Sequence, residues 1–100
     1  MNLTYNLDAM RDSIKRFEVE ITAFESIMED SQIQKAVLAA AKKEENLGGY
    51  TDEAQIDELI RTQQAQIDYY KEQVRTKQKE ITEYNGLINL QEMQEHQANK

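Results

Sequence analysis

His96 is the only histidine, and Glu92 stands four residues before it. On a helix that spacing puts an imidazole and a carboxylate on one face, the start of a metal site. A metal needs further ligands, and the Glu-x-x-His spacing of di-iron bundles is absent. The pair therefore reads as a solvated helix terminus. Acidic neighbours such as Glu44–Glu45 and Asp57–Glu58 recur along the chain. General acid–base work needs carboxylates held in different environments within one pocket. No pattern here builds such a pocket, so they read as solvated helix face. Gly48–Gly49 is no phosphate loop, because no Lys-Ser/Thr follows it and no strand precedes it. Tyr69, Tyr70 and Lys71, with Arg75, Lys77 and Lys79, interleave rings with bases, the chemistry that grips single-stranded nucleic acid. The whole chain opposes that reading. Nineteen Asp and Glu outweigh twelve Lys and Arg for a net charge of -7, the wrong sign for a phosphate backbone. The sequence thus predicts no enzyme, no metal and no cofactor, and makes nucleic acid a poor candidate.

These side chains must be carried by elements, and composition restricts which. One hundred residues make a single domain over 1–100. There is no Cys, so disulfide scaffolds, thiolate zinc sites and cysteine nucleophiles are excluded. No Pro and only three Gly leave few turn makers, which argues against a many-turned β fold. The longest apolar run, Ala36–Ala41, is far shorter than the roughly 18 residues of a membrane span. No secretory leader pattern is present, so the Asn2-Leu3-Thr4 sequon reads as coincidence and the expected compartment is the cytoplasm.

Periodicity supplies the architecture. Leu3, Leu7, Met10, Ile14, Phe17, Ile21, Phe24 and Met28 alternate steps of four and three, a heptad seam in which Leu7, Ile14, Ile21 and Met28 take position a. The second half repeats it. Ile60, Ile67, Val74, Ile81 and Ile88 lie seven apart, with Ile56, Gln63, Tyr70, Lys77, Tyr84 and Gln91 at the intervening d positions. Between the seams, Gly48 and Gly49 offer a left-handed helix end and Thr51 an N-cap. The expected fold is all-α: an antiparallel coiled-coil helical hairpin with helices over 3–45 and 52–97. Folding it at Gly49 sets Met10 against Ile88, Phe17 against Ile81, Phe24 against Val74 and Met28 against Tyr70. Lys77 then falls in the seam opposite Ile21, its ammonium within reach of Glu20 or Glu80, as a register-fixing polar residue. Glu25 and Lys71 fall at facing flanks. Two places leave the helices open to interruption. At Ser31, which makes a capping box with Gln34, the pattern shifts to Ile33, Val37, Leu38, Ala40 and Ala41, and a continuous helix or a break fits equally. At Gly86 the seam favours continuity.

A hairpin covers one stripe per helix, so apolar residues off the seam imply another partner. Near the loop these are Ile33, Val37, Leu47, Tyr50 and Leu59; near the termini, Tyr5, Leu87, Leu90 and Met93. They form the candidate interaction surface. The expected function is a non-enzymatic protein–protein interaction module: a small acidic adaptor, assembly factor or inhibitor, of the economical kind found in phages and mobile elements. A basic partner surface suits its charge. Self-association, with a dimer of hairpins forming a helical bundle, is expected as well. A structural coiled-coil stalk or scaffold and a chaperone-like helical clamp are the alternatives.

Overall fold

A computed structural model describes residues 6–44 and 52–98. Two helices account for nearly all of them: α1, Leu7–Lys43, and α2, Glu53–Ala98. Each begins where a side chain satisfies a backbone N–H that the first turn leaves free. The Asn6 carboxamide oxygen accepts from the Ala9 N–H at 3.0 Å. The Asp52 carboxylate accepts from the Gln55 N–H at 2.7 Å, so Asp52 caps α2; the expected cap, Thr51, lies outside the described residues. At the other end of α1, Lys42 and Lys43 occupy the last turn, where positive charge meets the negative helix end. The helix stops at Glu44, which has extended backbone (φ -86°, ψ 147°) and donates its N–H to the Ala41 carbonyl. A glycine therefore does not end α1. Gly48 and Gly49, like Leu3, lie outside the described residues.

The helices pack on each other over their whole common length, and the molecule measures 75 × 17 × 16 Å. That length is what 46 residues of α2 require at about 1.5 Å each, plus the ends. Ring contacts give the register. Phe17 meets Tyr84, centroids 6.1 Å apart, and Lys77 Nζ lies 5.0 Å from the Phe17 centroid. These two neighbours bracket Ile81, the expected partner of Phe17. Phe24 in the same way lies between Tyr70, at 5.2 Å, and Lys77, at 5.9 Å; they bracket Val74. The core comprises Ile14, Ile21 and Leu38 of α1 with Ile56, Ile67, Val74 and Ile88 of α2, all at a or d.

Ser31 does not break α1. The helix runs through it without interruption, and Ser31 is itself buried. The reason is that the heptad continues through residues that are not all apolar. Met28, Ser31, Lys35, Leu38 and Lys42 keep the steps of three and four. Leu38, expected off register, is buried at 4% exposure, whereas Ile33 and Val37 are 53% and 57% exposed. Ile33 and Val37 are apolar but stand on the back of the helix. At Gly86 α2 is continuous as expected, and a Cβ there would meet nothing within 4 Å.

Candidate interaction surfaces

The middle of the seam sets a charged group, Lys77, among aromatic rings. Lys77, at 21% side-chain exposure, pairs with Glu20 rather than Glu80 while its ammonium sits over both Phe17 and Phe24. Its stem lies along the core, and the two ring faces and the carboxylate receive the charge. Tyr69 packs edge-on against Tyr70 at 5.1 Å, which extends the aromatic layer outward. These are the residues that could have stacked on nucleic acid bases. Tyr70 and Lys77 are instead taken up between the helices.

Each end of the rod carries its own polar clasp. At the terminal end Arg11 of α1 pairs with Glu92 of α2. At the loop end Lys42 Nζ is 2.7 Å from Asp57 Oδ1, and Lys35 Nζ donates to Gln64 Oε1 at 2.5 Å. The hydrogen bond from Lys42 to Asp57, and then the attraction of that carboxylate, hold the Lys42 ammonium above the ordinary lysine value of 10.5. The expected Glu25–Lys71 pair does not form. Both side chains are exposed, and the cross-helix pairs use Arg11, Lys42 and Lys77. On the surface of α2, Arg75 makes hydrogen bonds to Glu72 through Nε and Nη2. That contact lowers the Glu72 carboxyl and raises the guanidinium. Gln91, in the last seam layer, is buried with its Oε1 unpartnered.

The expected outward residues divide into three groups. Ile33 and Val37 on α1, and Leu90 and Met93 on α2, are at least half exposed. Leu59 and Leu87 are half-buried, because both stand beside the seam rather than behind it. Tyr5, Leu47 and Tyr50 lie outside the described residues. Two outward residues were not anticipated: Val19, at 70% exposure, and Tyr69, at 59%. Val19 could have been found, since it lies diametrically opposite the seam that Ile14 and Ile21 define. The structure places the α1 and α2 groups at opposite ends of the rod, α1 toward the loop and α2 toward the termini. Next to Met93 an open groove of about 560 Å³ is lined by Asn89, Glu92, His96 and Gln97. His96 and Glu92 do share this face, but Glu92 is committed to Arg11. Among the described residues no three histidine or acidic side chains gather as metal ligands would.

Charge on the surface is uneven. The carboxylates Glu18, Glu25, Glu29 and Asp30 of α1 have no ion-pair partner among the described residues. No helix of the described residues is long and apolar enough to cross a membrane. No family model matches the chain, and neither a curated protein nor a solved structure matches it.

Proposed function

We propose that this protein works by protein–protein contact, as a small non-enzymatic adaptor, assembly factor or inhibitor of the cytoplasm. The observation that carries the reading is the outward apolar surface at both ends of a rod whose own seam is already filled. Leu90 and Met93 are 50% and 60% exposed, on a face that no part of α1 covers. Exposed apolar side chains grouped in this way favour a partner. The unpaired carboxylates of α1 add the second property, a negative field that steers a basic surface toward the rod. The rod's length also favours the runner-up reading, a stalk or scaffold that spans about 75 Å.

A photo-crosslinking residue at Leu90, with Thr76 as an exposed control, tests the reading in the native host. The expected result is a discrete adduct at Leu90 that is weak or absent at Thr76. Adducts of equal strength at both sites, or none at either, would refute a docking role for this face. An adduct whose mass equals two copies of the chain would identify the partner as the protein itself.

A further inference from the structure

The back of α1 carries a self-complementary stripe. Glu29, Ile33, Ala36, Ala40 and Lys43 are spaced four, three, four and three residues apart, which is the coiled-coil period and therefore calls for a helix as occupant. All five are exposed. Glu29 and Lys43 make no ion pair among the described residues. The stripe is acidic at one end, basic at the other, and apolar with small residues between. Turning a second copy upside down through Ala36 sets Glu29 against Lys43 of the second copy, twice over. It also sets Ile33 within one residue of the level of Ala40, a large residue against a small one, again twice. We infer that a second copy of this chain docks here, antiparallel, with its two-fold axis at Ala36. The inference rests on the proposed role in protein–protein contact and names one occupant for one face.

The charges select this register. A fuller overlap centred on Asp30 would bury more of α1. It would also put Asp30 on Asp30 of the second copy, with Glu25 and Glu29 close by, and like charges at an interface disfavour that alignment. The outer flank, where Asp30 and Glu44 stand, prefers solvent for the same reason, so the contact tilts toward Ala36 and away from Val37. An isologous contact of this kind closes at two copies. It spans only about four helical turns, less than the roughly 1,200 Å² that a stable interface buries, so the dimer forms at high protein concentration. Because only the loop halves overlap, its length is about 110 Å, against 75 Å for one rod.

Light scattering and small-angle X-ray scattering across a concentration series test this, together with Ala36→Cys in a chain that has no cysteine of its own. The expected results are a mass that rises toward two copies, an envelope near the longer value, and a disulfide dimer of Ala36→Cys that forms faster than one of Ser26→Cys. Glu29→Lys and Lys43→Glu each lower dimerisation at least several-fold, and the double variant restores it, with helicity unchanged throughout. A monomer at every concentration overturns the self-docking alone and leaves a different protein as partner, which the Leu90 crosslink reads separately. A dimer that keeps the single-rod length, or that ignores the charge reversal, overturns this face as the contact.

Discussion

Lys77 shows how one side chain can select an alignment without strengthening it. An ammonium in a seam needs partners, and only the observed register gives it Glu20 and two ring faces at once. Sliding the helices by one heptad would leave the charge half-buried with only one ring and without Glu20. Replacing both members of such an ion pair by hydrophobes of similar volume is often neutral or stabilising, by about 1–4 kcal/mol, whereas removing one alone leaves the other charge unpaired. Lys77→Met together with Glu20→Met therefore leaves stability unchanged or raises it by about 1 kcal/mol, toward the low end because Glu20 is partly hydrated in the parent protein. Lys77→Met alone lowers alignment fidelity. Paired cysteines at Phe24 and Val74 close an intrachain disulfide in the parent protein, and in Lys77→Met they give a mixture of products. A single product in both would deny Lys77 this role. Gln91 is a simpler case: its buried Oε1 lacks a partner. Gln91→Leu raises stability by roughly 1 kcal/mol, measured by urea denaturation.

At the scale of the helices, the loop end depends on different groups from the middle. Ile56 in the first turn of α2 is fully buried, so Ile56→Ala costs about 2–5 kcal/mol. Gly86 sits in the interior of α2 with open space where a Cβ would stand. Gly86→Ala therefore stabilises by roughly 0.5–1 kcal/mol through helix propensity, seen as a higher denaturation midpoint. The Lys42–Asp57 clasp is pH-dependent in a known direction. Because the folded protein holds Lys42 above 10.5, the clasp contributes fully below the unfolded lysine value and is lost as pH rises through the folded one. Above pH 10.5 the protein loses a small increment of stability that Asp57→Asn does not show. A matching alkaline slope in Asp57→Asn would remove Lys42 as its source.

For the whole molecule, the aromatic contacts concentrate at the rod's centre. The aromatic layers of Phe17, Phe24, Tyr70 and Tyr84 lie there. Toward the loop the α1 seam passes through Ser31, Lys35 and Lys42, and toward the termini α2 ends in Gln91. Local opening starts where few apolar contacts hold the backbone. Amide hydrogen exchange is expected to be slowest near residues 17–24 and 70–84 and to quicken toward both ends. Uniform protection along α1 would contradict this gradient.

Much of this shape was determined by residue spacing alone. A heptad repeat with β-branched residues at 60, 67, 74, 81 and 88, two glycines at the midpoint and no proline allowed two long helices, one reversal and one pairing. The ring contacts at Phe17 and Phe24 agree with that pairing. The continuity at Ser31 is not legible in the sequence, because apolar identity does not mark this stretch of the seam. Ile33 and Val37 look like core residues, and Ser31 and Lys35 do not. Only the packed pair of helices decides which face points inward: once Met28 and Leu38 are both in the seam, the residues spaced between them follow, whatever their polarity. Spacing fixes where a side chain stands around its own helix. Whether that place is interior, clasp or open surface depends on the helix opposite, and the outward stripe of α1 is what that pairing leaves uncovered.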